Sequence, residues 1–334
     1  MILKSRAFSL ALLLAIAVMA PGVLKAQDAQ PMSEMQLSTA GAGSKTTGGS
    51  ANGIAPGDLA APSATGTAGP EAAAFDGTYI WVATQFNDSV TRIRVSDGLV
   101  AGTFAVGKRP VALLYAAGSV WVANLLSDNV MKLNPATGAV TAAYTTGDGP
   151  GGLAFDGTNI WVANRESNDV TKLSAAGANL GTFAVGKRPM GVAVVGGAVF
   201  VVNNFSNSVM KLSAAGTVLG TYPVGRGPFG VAGEGENVWV TNYFDKTVTK
   251  LRAADGFNLG TFKVGDGASG IAFDGTSLWV VSNGDNNVMK LAPSTGSVIS
   301  TYATGKGPFA VVFDGAKIWV PNFASNSISS TAAN

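Results

Sequence analysis

The stretch 150–186, PGGLAFDGTNIWVANRESNDVTKLSAAGANLGTFAVG, decides the fold. It breaks into four short apolar pieces, GGLAFDG, NIWVAN, DVTKL and LGTFAVG, each set off from the next by a turn. The Asp156-Gly157 pair between the first two is a hairpin signal, because Gly accepts the positive φ that a tight turn needs. No helical apolar period runs through the stretch, so short strands are expected throughout.

The same pattern recurs along the chain. Its marker is an aromatic followed by Val, at Trp81, Trp121, Trp161, Phe200, Trp239, Trp279 and Trp319, with successive spacings of 40, 40, 39, 39, 40 and 40 residues. Short strands at this spacing with Gly-rich turns indicate radially repeated antiparallel sheets. The expected fold is all-β, a seven-bladed β-propeller of four-stranded antiparallel blades over residues 59–334. A blade cannot bury its faces alone, so the Trp and Val residues are expected to pack within and between blades. Thr91, Thr171 and Thr249 alternate with Met131, Met210 and Met289 in the third strands, which points to duplication of a two-blade unit.

The seventh unit has strands at 309–313, 318–322 and 327–331 and then lacks a fourth. The segment SATGTAGPEAAAFDG (63–77) matches YATGKGPFAVVFDG (302–315). Residues around 59–67 are therefore expected to supply the missing outer strand. Such closure by an N-terminal strand removes two unpaired edges that invite aggregation.

Ahead of the repeats, Lys4 and Arg6 precede an apolar run, and Leu24-Lys25-Ala26 offers a small residue for cleavage. This reads as a secretory signal peptide over 1–26, followed by a flexible linker over 27–58. The protein is expected to be secreted or periplasmic, without a membrane anchor. Of 22 basic residues, three (Lys4, Arg6, Lys25) lie in the leader, which leaves 19 against 20 acidic residues, a net charge of −1. A nucleic-acid partner is therefore not expected. The chain has no Cys and no His, which removes disulfides and the commonest general base and metal ligand.

The motifs IWVANRESNDVTKL and VWVTNYFDKTVTKL, with their GxGP joints, resemble bacterial YVTN-type and NHL-type propeller repeats over about residues 59 to 334. They are also similar to the repeats of streptogramin lyases. That resemblance implies a propeller, and it implies lyase chemistry only through a catalytic His, which this chain lacks. Gluconolactonase-type propellers hold a divalent cation among channel carboxylates and amides; here the inner strands offer Glu71 alone. No catalytic residue, cofactor or metal is expected.

In an alternating blade, the loops after the second and fourth strands share one face. The joints on that face carry Lys108, Arg109, Lys187, Arg188, Arg226 and Lys306 against Asp148 and Asp266, a local charge of +4. The turns beside them carry Phe86, Phe205, Tyr243, Phe244 and Phe323, as well as Arg165. A basic collar with aromatic neighbours suits a protein or an anionic polymer. The residue three after each aromatic (Thr84, Asn124, Asn164, Asn203, Asn242, Ser282, Asn322) is expected to cap its turn through backbone N–H groups. The reading is an exported, monomeric binding or scaffold module, more a binder than an enzyme. The alternatives are a propeller lyase or lactonase using loop carboxylates, and an extracellular structural component.

Overall fold

The computed structural model describes residues 29–31, 33–36 and 69–333. Seven sheets are arranged as blades, each running from an inner strand outwards. Blade 3 is representative: Pro150–Phe155, Asn159–Asn164, Asp169–Ser174 and Asn179–Ala184 pair in antiparallel order. The segments expected from the 40-residue spacing form these strands, and the fold is a seven-bladed β-propeller.

The second strands hold the core. All six Trp residues and Phe200 are fully buried. Packing crosses from blade to blade, as where Trp121, Ala123 and Val130 of blade 2 meet Ile160, Val162 and Leu173 of blade 3. A buried Trp removes roughly 200 Å² from water, worth about 5 kcal/mol at ~25 cal/mol/Å².

The Asp of the Asp-Gly turn has a specific role. In blade 3, Asp156 Oδ1 accepts the N–H groups of Thr158 and Asn159 at 2.9 and 2.6 Å, and Oδ2 accepts Trp161 Nε1 at 2.8 Å. Asp76, Asp274 and Asp314 bind their own Trp residues in the same way at 2.7 Å. Burial alone would raise the Asp156 carboxyl, but these donors outweigh it and hold it below the usual range.

Third-strand cations staple neighbouring blades. Lys172 Nζ lies 5.1 Å from the Trp161 ring centre and donates to Ala214 O of blade 4 at 2.7 Å. Arg92, Lys132, Lys211, Lys250 and Lys290 reach the next blade in the same way. In blade 7 the residue opposite Trp319 is Ser330, so this staple is missing between blades 7 and 1.

Closure differs from expectation in its position. The outer strand of blade 7 is Ser33–Gln36, antiparallel to Ser327–Ala332, and Ala29–Pro31 adds in parallel to the outer strand of blade 6. The closing strand thus comes from within 27–58, the stretch read as a linker. Residues 59–67, expected to fill that place, and the leader at 1–26 lie outside the described residues.

The inner strand of blade 7 also differs. It pairs only over Val312–Phe313, with an isolated bridge from Pro308 to Asn322, rather than over 309–313. Pro321 of the facing strand has no N–H to donate to the ladder. Phe309 keeps a bond to Pro321 O, and its own carbonyl turns to Gly270 N of blade 6 at 2.9 Å.

Candidate functional site: the channel mouth

The joints and the turns after the second strands do share one face, and backbone hydrogen bonds such as Gln85 N to Gly69 O and Arg165 N to Gly149 O join them. Two positions of the repeat build the mouth of the central channel. One is the second residue of each inner strand: Glu71, Val111, Gly151, Met190, Phe229, Ser269 and Phe309. The other is the fourth residue after each second-strand aromatic: Gln85, Leu125, Arg165, Asn204, Tyr243, Asn283 and Phe323. Elsewhere the blades are near copies. At these two positions they diverge from blade to blade.

The mouth has two unlike sides. Blades 5, 7 and 1 contribute a continuous aromatic arc. Ring centres of Tyr243 and Phe229 lie 6.4 Å apart, Phe229 and Phe309 6.1 Å, Phe309 and Phe323 5.7 Å, and Phe323 and Phe86 5.4 Å. Phe229 reaches Phe309 past blade 6 because blade 6 places only the buried Ser269 at this position. Phe309, at the bulge position that Phe229 also occupies in blade 5, completes the arc. Burial raises the Tyr243 phenol, and the nearby Asp266 raises it further.

Blades 1 to 4 contribute charge. Arg165 and Glu71 line a channel cavity of about 210 Å³, whose other walls are Ala, Val, Leu, Ile, Gly, Met and Phe. A Cβ on Gly151 would collide with the Arg165 guanidinium, so it is the glycine that admits this side chain. One terminal nitrogen of Arg165 donates to Gly151 O at 3.2 Å, while its Nε is buried with no partner. Glu71 makes no hydrogen bond among the described residues. Desolvation raises its carboxyl, against the pull of Arg165 and then Arg109. Desolvation likewise lowers Arg165; Glu71 opposes that, and Arg188 and Arg109 add to it.

Arg109 and Arg188 occupy the residue before the joint proline, with φ of 56° and 53°. The other five blades place Gly there, also at positive φ. A non-Gly residue in this region costs about 1 kcal/mol or more, and such strain concentrates at functional sites. Arg109 Nε binds Gln85 Oε1 at 2.7 Å, and Arg188 lies 4.8 Å over Phe205.

The expected collar therefore divides. Lys108 pairs with Asp88 and Arg226 with Asp245, both at 2.6 Å, and Lys246 pairs with Asp266 at 2.9 Å. Asp88, Asp128, Glu166, Asp245 and Asp285 in the facing turns bring the face near neutrality, and the +4 counted on the joints alone omits them. Lys187 and Lys306 are exposed at the rim. Phe86, Phe205 and Phe244 are exposed by 54–57%, whereas Tyr243 and Phe323 sit inside the mouth. Sequence reasoning selected Arg109, Arg188, Tyr243 and Phe323 and noted Arg165 on the same face, but it did not select Phe229, Phe309 or Gln85. Divergence at two positions of an otherwise faithful repeat is the signal that finds them.

Five of the seven small polar residues (Thr84, Asn124, Asn164, Asn242 and Asn322) are structural, through partners other than those expected. The Asn203 amide and the Ser282 hydroxyl are buried with no partner among the described residues. Asn164 Nδ2 donates to Asp169 Oδ1 and Thr171 Oγ1 at 2.6 and 2.9 Å, and Asn242 and Asn322 bind third-strand hydroxyls likewise. Their amides bond side chains of the third strand rather than turn N–H groups. Among the described residues there is no group of three or more acidic side chains that could hold a metal ion.

Fold and mouth define a seven-bladed propeller with a mixed aromatic and arginine-lined channel entrance. No protein-family model and no curated protein matches the chain. Solved structures do share the fold. Hydrazine synthase from Kuenenia stuttgartiensis superposes with a TM-score of 0.73 at 19% identity, covering 80% of this chain and 97% of that one. Virginiamycin B lyase from Staphylococcus aureus gives 0.72 at 17% identity, covering 81% and 97%. A streptogramin B lyase gives 0.70 at 17%, covering 79% and 93%. At these identities the likeness extends to the fold.

Proposed function

We propose that this chain is an exported binding module of YVTN/NHL-type repeats, working outside the cytoplasm, and that it engages its partner on the joint face around the channel mouth. The observation that supports this best is the contrast between repeated and divergent positions. Strands, Trp-Asp bonds and lysine staples recur from blade to blade, so they serve the scaffold. The positions that differ most from blade to blade lie on the joint face, in and around the mouth, and they gather exposed rings, strained arginines and a buried guanidinium nitrogen without a partner. Catalysis would need convergent acid–base groups, and Glu71 is the one acid lining the cavity. A protein or anionic polymer remains the natural partner class for the rim, where Lys187, Lys306 and Phe244 are exposed.

The test is capture from a native envelope extract on the immobilised full-length mature chain. Replacing Arg165 with Gln and Phe244 with Ala should lower recovery of the retained partner at least fivefold. Replacing Glu236, in a turn on the opposite face, and Lys317, at the start of the second strand of blade 7 on that face, with Ser should leave recovery unchanged. The reverse pattern would overturn the proposal.

A further inference from the structure

Resting on the binding reading, the mouth also defines the chemistry of what enters it. We propose that the channel mouth is a site for a small amphipathic anion, a flat apolar ring system carrying one carboxylate, with the ring against Phe229 and Phe309 and the carboxylate at Arg165.

Three observations carry this. The first is shape. The cavity is about 210 Å³ and its walls, apart from Glu71 and Arg165, are apolar or glycine. A cavity of ~150 Å³ takes benzene, so this one has room for about a fused ring pair. The rings of Phe229 and Phe309 stand 6.1 Å apart at a 46° tilt, which presents faces and edges to an incoming aromatic group.

The second is an unspent donor. A buried guanidinium normally has its N–H groups bonded, and one left over costs free energy comparable to a lost hydrogen bond. Arg165 Nε is buried without a partner, and the residue lines the cavity. Its planar fork matches a carboxylate in two-point contact. Among the described residues no carboxylate, Glu71 and Glu166 included, forms an ion pair with Arg165 within 4.0 Å.

The third is charge. Arg109, Arg165 and Arg188 lie within electrostatic reach of one another, with Glu71 the only acid lining the cavity. Even with Glu71 ionised and with Glu166, which also acts on Arg165, these five groups sum to +1. An anion is favoured over a cation or a neutral molecule, and the arginine side of the mouth faces the aromatic side across the channel. A purely polar anion would leave the aromatic arc unused, and a purely apolar ring would leave Arg165 unpaired. A ligand with both parts satisfies both walls.

Two variants isolate the roles. Arg165→Gln removes the charge. Gly151→Ala leaves every functional group in place but puts a methyl where the Arg165 guanidinium lies; Gly151 has ordinary backbone angles and the collision is with a flexible side chain, so the blade should still fold.

The experiment is calorimetric titration and thermal shift of the mature chain with 2-naphthoate, 2-naphthalenemethanol and acetate. Naphthoate should bind and raise the melting temperature, with the alcohol and acetate each at least tenfold weaker. Arg165→Gln and Gly151→Ala should both weaken naphthoate at least tenfold, while the alcohol changes less than twofold. Phe309→Leu should weaken naphthoate and the alcohol together. Equal affinity for naphthoate and the alcohol, or naphthoate binding that survives both Arg165→Gln and Gly151→Ala, would overturn the anion site. If naphthoate fails to bind although envelope capture still depends on Arg165, the ligand class is wrong and the binding face stands. If both fail, the binding reading falls as well.

Discussion

Replacing Asp156 with Ala tests the bond that joins the Asp-Gly turn to the buried Trp. Asp156 accepts two turn N–H groups and Trp161 Nε1, all at 2.9 Å or less. The turn N–H groups can find water after the change, so their loss is modest. Trp161 is fully buried, and its Nε1 would lose a charged acceptor at about 1–3 kcal/mol, the upper end applying where no carbonyl replaces it. In blade 2, with Ala116 at the Asp position, Trp121 Nε1 falls back on Ala116 O at 3.2 Å. The whole substitution should cost about 2–4 kcal/mol. Trp161→Phe alone should cost about 1–3 kcal/mol, mainly as a cavity. The double variant should cost about 1–2 kcal/mol less than the sum, because Phe has no N–H to orphan. Blade 4 already shows this combination: Val195 stands at the Asp position and Phe200 at the Trp position, both buried. The assay is guanidinium unfolding followed by fluorescence and far-ultraviolet dichroism, compared where the two probes coincide. Costs that add within ~0.5 kcal/mol would refute the proposed coupling.

Lys172→Met should lower stability by about 1–2 kcal/mol by removing the bond to Ala214 O and the contact with Trp161, read in the same unfolding assay. Deleting residues 27–40 should lower the melting temperature and promote aggregation, because it removes the outer strand of blade 7, whose join to blade 1 has no third-strand cation staple; an unchanged melt would count against that closure. The depressed carboxyls of Asp156 and Asp274 contribute stability above their unfolded value near ~3.9 that is lost as pH falls through their lower folded values, so melting temperature should drop below about pH 4, and less steeply in Asp156→Asn. Glu71, raised by burial, carries the opposite sign: its negative charge appears only as pH rises through a value above the ordinary 4.5, so naphthoate should bind more weakly above that transition than below it, and Glu71→Gln should remove the step. The arginines facing it stay charged throughout.

Much of the scaffold was legible because its causes are local. Trp161 and Asp156 are five residues apart on one hairpin, and a repeated hairpin stacks in only a few ways. The closing strand was not legible, since Ser33–Gln36 is short, polar and pairs with the far end of the chain; the longer match at 63–77 was the more visible signal. Pro321 stood in plain view, but its effect falls on the facing strand, where pairing shrinks to Val312–Phe313. The charge of the joint face was misjudged because Lys108 and Asp88 meet across a joint, 20 residues apart. Arg165 could not be weighed alone: its place in the channel depends on Gly151, a residue without a side chain on a different strand.

The most direct test of the joint face as the binding surface is site-specific photo-crosslinking in native envelope extract. Phe244 and Phe257 are exposed by 57% and 60%, the first beside the channel mouth and the second in a third-to-fourth-strand turn on the opposite face. A photoactivatable phenylalanine analogue at each position, irradiated under the same conditions, should give a discrete adduct through position 244 and none through 257. Adducts through 257 with none through 244 would contradict it.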